Sequence, residues 1–101
     1  MEEIQIITPE QVKAKVEAGE KLNIIDVREE EEVALGTIPG AIHIPMGEIP
    51  FSLASFDKNK EYIFICRSGN RSGHVCYYLQ EQGFNVWNMI GGMLEWTGKT
   101  I

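Results

Sequence analysis

The residues with the most evident chemistry form one run, Cys66-Arg67-Ser68-Gly69-Asn70-Arg71-Ser72. A cysteine attacks as its thiolate, and an unperturbed thiol with a pKa of ~8.5 is only a few per cent ionised at neutral pH. Lowering that pKa by ~2 units takes about 2.7 kcal/mol of preferential stabilisation of the anion, which one or two charge-assisted hydrogen bonds of ~1.5–3 kcal/mol each supply. The run holds the means to do this. Backbone N–H groups in a loop between a strand end and a helix start can converge on an anion. Gly69 lets such a loop close, and Arg67 and Arg71 add positive charge in a planar fork that suits an oxyanion better than a lysine does. Ser68 and Ser72 bring hydroxyl donors, and Ser72 is also a candidate N-cap. The bland alternative is an inert cysteine buried at a strand end, because free cysteine is among the most buried residue types. A polar loop with two arginines is a poor place for one, so a nucleophile is the preferred reading.

Such a cysteine needs a strand before it and a helix after it. Tyr62-Ile63-Phe64-Ile65 is apolar throughout, as a strand covered on both faces should be, and runs directly into Cys66. Arg67 to Asn70 read as a loop, and Ser72 to Gln82 carries Val75, Cys76, Tyr78 and Leu79 at helical spacing before Gly83. Upstream, Ile4-Gln5-Ile6 alternate as a short strand. Thr8, Pro9 and Gln11 then form an N-cap, a first helical position and a capping box for a helix over 9–18, ended by Gly19. Leu22 to Val27 is a buried strand, Glu29 to Leu35 a short helix whose acidic start is taken as a solvated helix end, and Ala41 to Ile44 another strand. Pro50 to Phe56 holds a helical turn or two, Phe84 to Met89 a last strand, and Gly91-Gly92 opens a short helix with Leu94 and Trp96. This alternation predicts an α/β fold, a mostly parallel β-sheet flanked by helices on both faces. Ligands of such sheets bind beyond the carboxyl ends of the strands, where the Cys66 loop lies.

A chain of 101 residues fits a single domain, 1–101, and 44% hydrophobic with 24% charged residues is enough apolar material for an ordinary packed core. No apolar run approaches the ~18 residues of a membrane helix, and Met1-Glu2-Glu3 lacks the basic, then apolar, start of a secretory signal. The expected setting is cytoplasmic, with no membrane association. Cys66 and Cys76 lie ten positions apart with no CxxC pair and no histidine at ligand spacing, so no metal, no cofactor and no disulfide is expected. A net charge of −6 argues against nucleic acid as a partner, whereas Arg67, Arg71 and His74 make a local cationic spot suited to a small anion.

The same residues resemble the rhodanese family of sulfurtransferases over nearly the whole chain. Cys66 to Ser72 is similar to the family's active-site loop in its C-R-x-G-x-R form. Ile25-Asp26-Val27-Arg28-Glu29 and Gly36-Thr37-Ile38-Pro39-Gly40-Ala41-Ile42-His43-Ile44-Pro45 resemble its upstream signatures, and Gly91-Gly92-Met93-Leu94-Glu95-Trp96 its C-terminal one. Thr37 departs from the pattern, which usually has His there. The resemblance implies a rhodanese-like domain and double displacement: Cys66 takes the outer sulfur of a small anionic donor such as thiosulfate, holds it as a persulfide, and yields it to cyanide, a thiol or a protein acceptor. It also implies that the amides of Arg67 to Ser72 ring the persulfide, with Asp26 and Arg28 nearby as structural support.

Other residues have simpler expectations. Cys76 is read as core packing rather than a resolving thiol, His74 as exposed, His43 as a hydrogen-bonded structural histidine, and Trp87, Trp96, Tyr77 and Tyr78 as core and rim aromatics. A cysteine phosphatase is the rival enzyme, but phosphatase loops resemble C-x5-R whereas Cys66 to Arg71 is C-x4-R, and Ile65 stands where a histidine would precede the cysteine. The rival from another class is a persulfide relay or docking module for a separate partner protein. The intact cysteine and both arginines count against docking alone.

Overall fold

In the computed structural model, which describes residues 3–101, five strands make one sheet in the order β1-β5-β4-β2-β3, every neighbouring pair parallel. Met1 and Glu2, the first positions of the expected 1–101 domain and part of the segment read for a secretory signal, lie outside the described residues. The strands are β1 (Gln5–Ile7), β2 (Ile24–Asp26), β3 (Ile42–His43), β4 (Glu61–Ile65) and β5 (Asn85–Met89). The α-helices are α1 (Pro9–Glu17), α2 (Glu30–Val33) and α3 (Asn70–Glu81), joined by 3-10 turns at Met46–Phe51, Leu53–Ser55 and Gly92–Glu95. The α/β expectation holds, and the sheet is wholly rather than mostly parallel.

Alternation along the central strand divides the core in two. Tyr62, Phe64 and Cys66 point to one face, where Val75, Cys76 and Leu79 of α3 and Ile49 of the first 3-10 turn cover them. Ile63 and Ile65 point to the other, beneath Val12 of α1, Ile38, Met93 and Trp96. Helical elements thus cover both faces, as a parallel sheet requires. The start of α1 is set locally: the Gln11 amide donates to Thr8 Oγ1 at 3.1 Å, and the Thr8 amide donates to Gln11 Oε1 at 2.9 Å.

Several elements are shorter than the sequence implies. The segment 22–27 narrows to Ile24–Asp26, although the Val27 amide still donates to the Ile65 carbonyl at 3.0 Å and carries the pairing one residue further. The helix expected over 29–35 is a single turn, closed where Gly36 turns the chain at φ +134°. At α3 the difference concerns the site. The helix starts at Asn70, two residues early, because Gly69 at φ +94° is its N-cap, so Ser72 lies inside the first turn and is not the cap expected of it.

Candidate active site

β4 delivers Cys66 to the carboxyl end of the sheet, and the tight loop into α3 folds back over its sulfur. The Gly69 amide donates to Cys66 Sγ at 3.1 Å, the Ser72 amide at 3.3 Å, and the Ser72 hydroxyl at 3.3 Å. Cys66 is fully buried. Burial pushes its thiol up, but the hydrogen bonds from the Ser72 hydroxyl and from the amides of Ser72, Gly69 and Ser68 outweigh it and hold the thiol below its ordinary value. Cys76 is buried as core, its thiol pushed up to about 12 by desolvation and then by the Cys66 charge. The two thiols therefore differ sharply in readiness to ionise.

The loop's side chains part ways. Arg67 and Ser68 are exposed, and Asn70, also exposed, turns its amide toward Ser68 Oγ at 3.4 Å rather than toward the sulfur. Arg71 is engaged elsewhere: its Nη1 and Nη2 donate to the two carboxylate oxygens of Glu32 at 2.7 and 2.8 Å. That fork holds the Glu32 carboxyl down at about 2 against the cost of partial burial, helped by the Glu29 amide. The acidic run 29–32 is therefore more than the solvated helix end read from its composition, because Glu32 ties α2 to the helix that follows Cys66.

Asp26 pairs in register with Ile65, placing its carboxylate beside the strand end that leads to Cys66. Arg28 Nε donates to Asp26 Oδ1 at 3.0 Å, Nη2 to Oδ2 at 2.8 Å, and Nη2 also to the Gly36 carbonyl at 2.7 Å. Thr37 Oγ1 donates to Asp26 Oδ2 at 2.7 Å, so the residue that departs from the family pattern completes this buried cluster. His43 Nε2 lies 2.7 Å from the Arg28 carbonyl oxygen, and His74 is exposed.

Three contributions were not singled out from the sequence. Asn88 of β5 binds the loop from beneath: its Nδ2 donates to the Gly69 carbonyl at 3.0 Å, and its Oδ1 accepts from the Ser72 hydroxyl at 2.5 Å. Strand alternation puts this amide on the same face as buried Val86, whereas Asn85, the other amide of β5, is exposed, and that placement is the signal that marks it. Glu32 is the second, with no local signal to reveal a partner 39 positions away. The third is backbone: the amides of Met93 and Leu94 donate to the carbonyls of Cys66 and Arg67 at 2.9 and 3.0 Å. Gly92 permits this, since a Cβ there would overlap the Arg67 carbonyl oxygen and lie 2.6 Å from that of Cys66.

A cavity of about 670 Å³ lies away from this site. It lies on the α1 face near the amino ends of β2 and β4, with Leu22, Ile63, Trp87 and Lys21 in its lining and no residue of the Cys66 loop. Among the described residues no helix is long and apolar enough to cross a membrane.

The rhodanese-like domain model matches residues 8–99. The protein named "Putative sulfurtransferase YtwF" of Bacillus subtilis is 57% identical over 98 residues, covering 97% of this chain and 95% of the relative. Thiosulfate sulfurtransferase GlpE of Pseudomonas aeruginosa is 32% identical, covering 91% of this chain and 83% of its own length. The crystal structure of a rhodanese-like domain protein from Staphylococcus aureus superposes with a TM-score of 0.89 at 41% identity, over 95% of this chain and 94% of that one. With its parallel sheet, its loop closed over Cys66 and these matches along nearly its full length, the chain belongs to the rhodanese-like domain family.

Proposed function

We propose that this protein is a sulfurtransferase that carries sulfane sulfur on Cys66. In the first displacement the Cys66 thiolate attacks the outer sulfur of a thiosulfate-like donor. A bond forms between the two sulfurs, the donor's sulfur–sulfur bond breaks, and sulfite leaves with the electron pair. In the second, an acceptor nucleophile (cyanide, a thiolate or a protein cysteine) attacks that outer sulfur, and the pair in the breaking bond returns to Cys66 as thiolate. Both steps need a sulfur that is stable as an anion, once as nucleophile and once as leaving group. The observation that carries the reading is the set of three hydrogen bonds on Cys66 Sγ, which hold the thiol low despite complete burial.

Burial also sets a requirement: the atoms covering Cys66 must shift before a donor reaches the sulfur. Arg67, exposed at the rim, is placed to attract the anionic donor, while the Gly69 and Ser72 amides serve the sulfur itself. Asp26 and Arg28 act as a buried brace beside the strand end. Both cysteines are free thiols, a state that suits the cytoplasmic setting read from the sequence.

Cys66→Ser is expected to abolish thiosulfate:cyanide transfer and Cys76→Ser to retain most of it, and intact-protein mass spectrometry after thiosulfate treatment is expected to find one added sulfur, on the wild type and Cys76→Ser alone. Equal loss in both variants, or efficient aryl phosphate hydrolysis by the wild type, overturns the reading.

A further inference from the structure

The Ser72 hydroxyl has two acceptors in reach and one hydrogen to give. Cys66 Sγ lies 3.3 Å from its oxygen, and Asn88 Oδ1 lies 2.5 Å away. The Asn88 amide cannot readily turn aside, because its Nδ2 is bonded to the Gly69 carbonyl at 3.0 Å. Asn88 is buried at the carboxyl end of β5, directly under the loop. It thus touches Gly69 and Ser72, two of the residues whose amides act on the sulfur, and makes no hydrogen bond to the sulfur itself.

We propose that Asn88 is a positioning residue that competes with Cys66 for the Ser72 hydrogen, holding it while the sulfur is neutral and ceding it when the sulfur becomes an anion. The inference rests on the reading of Cys66 as sulfur carrier. In the persulfide the inner sulfur is bonded on both sides and accepts weakly, so the hydrogen stays on Asn88. When the acceptor attacks the outer sulfur and the electron pair returns to Cys66, a full charge appears 3.3 Å from the hydroxyl. Hydrogen bonds to charged groups are roughly twice as strong as neutral ones, which is enough to turn the hydroxyl toward the sulfur. Donor geometry therefore improves as the leaving group forms, which helps the transition state more than the resting persulfide.

Replacing Asn88 separates this role from simple packing. The Gly69 carbonyl also accepts from the Gly73 amide at 3.1 Å, so losing Asn88 Nδ2 does not leave it unpaired. The titratable groups that feel the Cys66 charge, Arg71 and Cys76, are unchanged in every variant.

The experiment is the pH dependence of Cys66 alkylation by iodoacetamide, read alongside thiosulfate:cyanide transfer. In Asn88→Leu the hydroxyl has the sulfur as its one remaining acceptor, and the Cys66 pKa falls by about half a unit to one unit. In Asn88→Asp the carboxylate keeps the hydrogen and adds a negative charge, and the pKa rises by about a unit or more. In a Ser72→Ala background, Asn88→Leu no longer moves it. Should Asn88→Leu fail to fold, the near-isosteric Asn88→Asp is compared with and without Ser72→Ala: its pKa rise is larger when Ser72 is present, and equal rises in the two backgrounds, which repulsion alone would give, overturn the proposal. Alkylation profiles that stay at the wild-type position while melting temperature falls would make Asn88 a packing residue and overturn the proposal, as would an Asn88→Leu shift that survives Ser72→Ala. The expected shifts in a protein without sulfur transfer would instead overturn the sulfurtransferase reading and leave the hydrogen-bond competition standing.

Discussion

Cys66 is held between two opposing influences, burial that favours the neutral thiol and donated hydrogen bonds that favour the thiolate, and the second prevails. Among the described residues no guanidinium donates to Sγ; the donors within hydrogen-bond distance are the Gly69 and Ser72 amides and the Ser72 hydroxyl. The two arginines of the loop are therefore expected to differ in role. Arg67 is exposed, whereas Arg71 has both terminal nitrogens on Glu32. Arg67→Ala raises KM for thiosulfate about tenfold with kcat little changed, a loss of ~1.4 kcal/mol of binding shared by ground and transition states. Arg71→Ala raises it less, and salt reproduces the Arg67 effect on the wild type. Steady-state kinetics in low and high salt checks this, and a larger KM effect at Arg71 would contradict it. The sulfur's neighbours were legible in the sequence because they are neighbours along the chain: Gly69 and Ser72 lie within six residues of Cys66. Asn88 and Glu32 were not, since contacts across 19 and 39 positions leave no spacing to read.

Between elements, the fork from Arg71 to Glu32 is the side-chain tie from the short helix α2 to the first turn of α3. Glu32 has its carboxyl lowered in the fold, from 4.5 to about 2, so its contribution to stability is fully present above about 4.5 and is lost as pH falls toward 2. The pair is roughly one-third exposed, which limits its worth to about 0.5–1 kcal/mol, a few degrees of melting temperature in a domain of this size. Glu32→Gln melts lower than the wild type by that margin at pH 6, and the gap narrows on acidification from 4.5 toward 2; thermal melts across this range check it. A gap that stays constant would show that the ion pair is not its source. Element types and order followed from local pattern, since the apolar run of β4, the capping box of α1 and the glycines at 19, 69 and 83 act over a few residues. The boundary of α3 lies two residues earlier than the sequence implies because a left-handed glycine itself serves as the cap, which sets Ser72 inside the first turn with its hydroxyl toward the sulfur.

Over the whole molecule, two apolar layers pack on a thin parallel sheet, and the layer over Cys66 depends on α3. Leu79 is fully buried in it. Leu79→Ala costs about 2–5 kcal/mol, a large share of the ~5–15 kcal/mol typical of a domain, and lowers the urea midpoint accordingly. A midpoint within error of the wild type would mean that this layer collapses around the gap. The parallel topology was legible from alternating strands and helices, but the strand order was not, because no local pattern states that β1 lies beside β5. That adjacency, Gln5 opposite Trp87 and Ile7 opposite Met89, governs how the protein is made. Synthesis proceeds from the amino end at ~5–20 residues per second, so the first strand waits roughly 4–16 s for the residues that will pair with it. Asn88 and Gly92, which back the Cys66 loop, emerge in the same late stretch. A nascent chain that displays Cys66 before Asn88 and Gly92 have emerged has therefore no finished cradle for its sulfur.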